Sequence, residues 1–182
     1  MMQSIVTIPN QTLTTPAKPV VTFNRKLEKM ISRMKRTIRA AKHPIGVGLA
    51  GPQARLPFQI FLTRPTVKDD IRVFINPKII SRSEELTDGV PQRENKLEGC
   101  LSVPAVWGKV KRATTLVLSY RDETGKLHEE TFEGFMATII QHEMDHLAGI
   151  LFTQRVVEQK GKLFQSGRDE NGKEVLEELD IG

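Results

Sequence analysis

With 182 residues, 38% of them hydrophobic, the chain is long enough for one buried core and gives no sign of a second domain. No apolar run approaches a bilayer span, and a single cysteine cannot form an internal disulfide, so neither a membrane-spanning protein nor a disulfide scaffold is expected. The net charge of +5 permits an anionic partner without demanding one, and 5% aromatic residues argue against stacking platforms for single-stranded nucleic acid.

Residues 1–23 contain Pro9, Pro16 and Pro19 and no acid. They lack the basic-then-apolar pattern of a secretory signal and read as an N-terminal arm. Asn24 is a good N-cap for a helix reaching about Ala41, whose stripe of Leu27, Met30, Ile31, Met34 and Ile38 faces a core. The other face of that helix carries eight bases against Glu28 alone. A solvated face is favoured there over contact with RNA or an anionic membrane surface. His43-Pro44 ends the helix. Residues 46–53 make a tight backbone path of small residues. They form either a simple turn or a close approach to a ligand, with the Gln53 amide as a donor.

Residues 58–63 and 71–80 have strand character, the second broken or bulged at Asn76-Pro77. A polar surface connection spans 81–97, and a strand-like stretch spans 107–110. Residues 114–120 and 126–132 form a hairpin over 122–125. Residues 134–149 repeat apolar side chains at three- and four-residue spacings between two glycines, which predicts a helix that carries few polar groups and runs through the interior. In the charged tail, 162–165 pairs with 174–179 across an Asn-Gly turn, with a short helix over 174–179 as the alternative.

His142 and His146 are four residues apart and share a helix face, with Glu143 beside them. This His-Glu-x-x-His pattern holds one metal between two imidazoles and sets a carboxylate to handle a proton. In proteases with a third histidine six residues after the second, position 152 would be that ligand; here it is Phe152. A later carboxylate, Glu170 or Glu174, remains open as the ligand of another protease class. Cys100 is the better candidate, because thiolate binds zinc or ferrous iron strongly and Gly99 lets the backbone come close. Two imidazoles and a thiolate leave a position for water, whose pKa the metal lowers. Glu143 can take that proton and pass it to a leaving amine. Irregularly mixed strands and two main helices predict an α+β fold, with small antiparallel sheets packed around a central buried helix that carries this motif. We expect one domain over 1–182, with 153–182 as a variable tail.

Three motifs in order, at 46–53 (Gly-Val-Gly-Leu-Ala-Gly-Pro-Gln), 98–102 (Glu-Gly-Cys-Leu-Ser) and 141–146 (Gln-His-Glu-Met-Asp-His), resemble the peptide deformylase family over about residues 8–160. The resemblance implies a hydrolase that removes the formyl group from the N-terminal methionine of new proteins, with Cys100, His142 and His146 as metal ligands. It casts Glu143 as general acid/base, and Gln53 with the Leu101 N–H as the oxyanion donors. Val47, Gly48, Gly99 and Trp107 would lie along the substrate, with Phe135, Thr138 and Ile139 lining the methionine pocket, and Glu98 with Arg112 would brace the cysteine loop. The implied cofactor is one divalent metal, ferrous iron in the cell, with zinc, nickel or cobalt as substitutes. The implied partners are N-formylmethionyl nascent peptides and the ribosome, in a bacterial-type cytoplasm and without a membrane. Gly51 stands where alanine is usual in the family, and Trp107 where some members carry an arginine near the substrate entrance.

Overall fold

Asn24 starts the first helix. Its side-chain oxygen accepts from the backbone N–H groups of Lys26 and Leu27 at 3.0 and 3.1 Å, satisfying two of the donors that a helix start leaves bare. This helix, α1 (Arg25–Ala40), buries Leu27, Ile31, Met34 and Ile38 and leaves Arg25, Lys26, Lys29, Arg33, Arg36 and Arg39 exposed. The structure, a computed structural model, describes residues 4–42 and 44–180. His43, expected with Pro44 to end α1, lies outside them.

A five-stranded antiparallel sheet follows, in the order β1 (Gly48–Ala50), β2 (Ile60–Thr63), β3 (Arg72–Arg82), β6 (Thr115–Arg121), β7 (Leu127–Glu133). Both faces of its first strands are covered, which explains the unbroken apolar run at 60–62 and the burial of Thr63 after it. Ile60, Leu62, Val73 and Ile75 pack against α1, while Phe61 and Phe74 point the other way into an aromatic cluster with Tyr120 and Phe132. Phe74 sits 4.7, 4.6 and 5.8 Å from the Phe61, Tyr120 and Phe132 rings. The cluster is closed by Ala137, Ile140 and Leu147 of the helix α2 (Gly134–Leu147). Gly149 ends that helix at φ 76°, and a Cβ there would lie 2.8 Å from the Thr14 backbone, so the position requires glycine.

The expected irregularity at Asn76 is present and has a use. Asn76 adopts φ 49°, and the pairing of β3 with β6 slips between Ile75 and Lys78. Its side chain accepts from the Val20 N–H at 2.7 Å and donates to the Val20 carbonyl at 2.8 Å, tying the N-terminal arm to the sheet. Asn76→Ala removes both bonds and places a Cβ-bearing residue with no side-chain compensation at positive φ. We expect a loss of about 1–3 kcal/mol in urea unfolding, with Asn76→Gly milder.

The second sheet has the order β4 (Glu98–Cys100), β5 (Val103–Gly108), β8 (Leu163–Arg168), β9 (Glu174–Leu179), again antiparallel. Residues 174–179 are therefore the strand of a hairpin and not the alternative helix. The strand expected at 107–110 begins earlier, at Val103, because it pairs back on β4 across a tight turn at 101–102. A third helix, α3 (Phe152–Glu158), was not expected. It buries Phe152 and Val156 with Val103, Val110 and Leu163. The arm is bonded to two loops at once: the Val6 N–H donates to the Gln53 carbonyl at 2.8 Å and the Ile8 N–H to the Ser102 carbonyl at 3.0 Å. No helix among the described residues is long and apolar enough to cross a membrane.

Candidate active site

The three motif segments meet beside α2. The first supplies β1 and the 3-10 turn Gly51–Ala54, the second supplies β4 and the turn after it, and the third is the C-terminal half of α2. The ligand atoms of Cys100, His142 and His146 all lie within 4.8 Å of one another, with Cys100 Sγ 3.2 Å from His146 Nε2. A tetrahedral ion with metal–sulfur and metal–nitrogen bonds of about 2.3 and 2.0 Å would hold such a pair about 3.5 Å apart. The donor set therefore fits one divalent metal. Glu170, the rival carboxylate, is exposed in the β8–β9 turn and outside this cluster. The Glu174 side chain lies outside what the structure describes.

Burial works to raise the Cys100 thiol, but the His146 and His142 rings outweigh it and bring the thiol down to about 5, so the ligating thiolate prevails at neutral pH. Glu98 Oε1 lies 2.6 Å from His142 Nδ1. A proton on Nδ1 in this bond leaves Nε2 free to ligate, the outer-shell arrangement that makes an imidazole a better donor.

Glu98 is itself gripped from both sides. Arg112 donates to it through Nε at 2.8 Å and Nη2 at 2.7 Å, and through Nη1 at 3.0 Å to Asp145 Oδ2. Asp145 in turn accepts from Arg155 Nη2 of α3 at 2.7 Å. Burial would raise the Glu98 carboxyl, but Arg112 and His142 hold it well below the usual range. Asp145 and Arg155 are the functional neighbours that sequence reasoning missed. The available signal was an acid on an apolar helix, since a buried carboxylate needs a cation.

Glu143 occupies the space against Gly48, where a Cβ would come within 2.1 Å of its Oε1. Its Oε2 is buried without a hydrogen-bond partner among the described residues, and burial pushes the carboxyl up to about 7. Gln53 is pinned by its own turn: Oε1 accepts from the Ala50 N–H at 2.8 Å. The Nε2 group then points to Ser102 Oγ at 3.1 Å and Cys100 Sγ at 3.5 Å.

Val47, Gly48, Gln53, Gly99, Leu101, Phe135, Thr138 and Ile139 all line one cleft with Cys100, His142 and Glu143. The polar Thr138 is accommodated because its hydroxyl donates to Gly134 O, one turn back, at 3.3 Å. Trp107 is placed differently. It lines the adjoining recess, and its ring lies on Gly99.

An α+β chain that brings a thiolate and two imidazoles together beside a carboxyl poised near neutrality has the build of a mononuclear metal hydrolase. The comparisons narrow that class. A family model for polypeptide deformylase matches residues 2–162. A peptide deformylase of Treponema pallidum is 39% identical, covering 81% of this chain and 84% of the relative. Peptide deformylase 1 of Bacillus cereus is 38% identical, covering 84% and 90%. The crystal structure of the Thermotoga maritima peptide deformylase superposes with a TM-score of 0.75 at 34% identity, covering 85% of this chain and 97% of the other. A Synechococcus elongatus peptide deformylase in complex with actinonin gives 0.75 at 34%, covering 84% and 78%. The chain belongs to the peptide deformylase family.

Proposed function

We propose that this chain hydrolyses the formyl amide of N-terminal formylmethionine on newly made polypeptides, with α2 as the central element around which the site is built. The observation that carries the reading is the unpartnered, near-neutral Glu143 carboxyl beside the Cys100, His142 and His146 cluster. Those three residues would hold a divalent ion, which we assign as ferrous iron in the cell with zinc, nickel or cobalt as substitutes. When bound, the ion supplies Lewis acidity toward the formyl oxygen and toward water.

The chain's residues do the rest. Glu143 accepts the proton of the attacking water and delivers it to the departing amine. The Gln53 amide and the Leu101 N–H stand ready for the oxygen on which negative charge develops. β1 is the edge of its sheet, so Gly48, with Val47 just before it, borders the cleft where an extended substrate backbone would lie. Phe135, Thr138 and Ile139 form the wall against the methionine side chain. The same reading places the enzyme in a bacterial-type cytoplasm, where formylated chains leave the ribosome.

The test is formate release from a formyl-methionyl peptide by the protein loaded anaerobically with ferrous iron; stoichiometric metal with no formate would overturn the reading. Cys100→Ala should lose bound metal and formate release together, measured by metal analysis and assay. Retained metal would instead favour a carboxylate-ligand protease. Gln53→Leu removes the amide donor. We expect kcat to fall by about 10²-fold with KM little changed, because the donor acts where charge develops in the transition state.

A further inference from the structure

Arg93 stands at the junction of two hollows. It lines the cleft that contains Cys100 and Glu143, and also the adjoining recess with Trp107 and Leu176. Its guanidinium carbon is 4.9 Å from the centre of the Trp107 ring. That ring lies on Gly99, where a Cβ would come within 2.5 Å of it, and the pairing of β4 with β5 sets Gly99 opposite Trp107. Backbone, indole and guanidinium thus form a stack that starts one residue from Cys100. The indole attracts the guanidinium charge and covers it in part from water.

The charge of Arg93 is incompletely matched. Nη1 donates to the Leu97 carbonyl at 3.0 Å, and no carboxylate among the described residues forms an ion pair with it. The acid that Arg93 feels most, Glu98, is committed to Arg112 and His142. A half-buried cation with donors to spare gains from an anion that arrives with a ligand.

We propose that Arg93, braced on Trp107, is a specificity-determining residue that binds a substrate carboxylate downstream of the methionine, so that chains with Asp or Glu at positions two to four are preferred over chains with Lys. The proposal rests on the deformylase reading for the direction in which the peptide leaves the cleft. An extended peptide advances about 3.3 Å per residue, and Arg93 lines the same cleft as Cys100, so the residues that follow the methionine are the ones that reach it.

Trp107 is the one tryptophan of the chain, so its emission reports binding without turnover. The metal-loaded protein is titrated with the amides of Met-Ala-Glu and Met-Ala-Lys. The glutamate peptide should bind about tenfold tighter, the scale of one hydrogen bond to a charged group, with the margin shrinking at high salt. Arg93→Ala should bring the two peptides within about twofold of each other on this scale. Arg93→Glu should reverse their order, a gain that a misfolded variant cannot produce. Values of kcat/KM for the formylated peptides should follow the same ranking, carried by KM. Equal or absent binding of the two peptides, or a preference that Arg93→Glu leaves intact, overturns the proposal. Failure of every formylated peptide to release formate overturns the deformylase reading alone, because the emission titration still decides the role of Arg93.

Discussion

Glu143→Gln is expected to lower kcat for formate release by about 10²–10⁴-fold, the range a positioned proton carrier contributes, while metal content stays unchanged. The substitution conserves shape, so the carboxamide still fits against Gly48, where only the absence of a Cβ leaves it space. What it removes is the group that burial has brought to about 7, poised to take and return a proton near neutrality. The sign of the pH dependence follows. Below its pKa Glu143 is protonated and cannot act as a base, so kcat/KM should rise with pH along an acid limb. A bound cation stabilises the carboxylate, so the limb should end at or below about 7. A glutamine variant that kept most of the wild-type rate would remove Glu143 from the mechanism.

Arg112→Ala should destabilise the fold by about 3–5 kcal/mol, the cost of leaving buried charge uncompensated. Arg112 and Glu98 are both buried, 6% and 5% exposed, and Asp145 depends on the same guanidinium. The variant should also bind metal about 10–100-fold more weakly, because Glu98 orients His142. The two effects can be separated. Glu98→Gln with Arg112→Met removes both charges, so much of the stability should return in urea unfolding while metal affinity stays low. Recovery of both would mean that Glu98 does not act through the histidine. Arg112→Lys is not conservative here, since an ammonium cannot reproduce the two-pronged grip on Glu98.

The elements readable in the sequence were those whose cause is local. Asn24 announces α1 because the capping atom lies two and three residues from its donors, and the β6–β7 hairpin turns on Asp122, which accepts from Thr124 and Lys126 within its own turn. The residues that come together in the candidate site were readable because the three motifs carry their chemistry in residue identity: two imidazoles at helical spacing, a thiol after a glycine, an amide in a tight turn. What escaped is nonlocal. α3 has only seven residues, and Phe152 and Val156 are held by β5 and β8, which no window of sequence joins to it. The pairing of Asp145 with Arg155 depends on α3 folding back past α2. The side on which Trp107 lies also follows from which residue β4 sets opposite it, and Gly99 leaves space for the ring.

Residues 6 and 8 join the turn that aims Gln53 to the turn that follows Cys100, one hydrogen bond to each. These two turns belong to different sheets and are about fifty residues apart in the chain. This stretch of the arm therefore serves as a crossbar that sets the spacing between the Gln53 amide and the loop that carries Cys100. A shortened N-terminus can spare every motif residue and still leave the two halves of the site out of alignment.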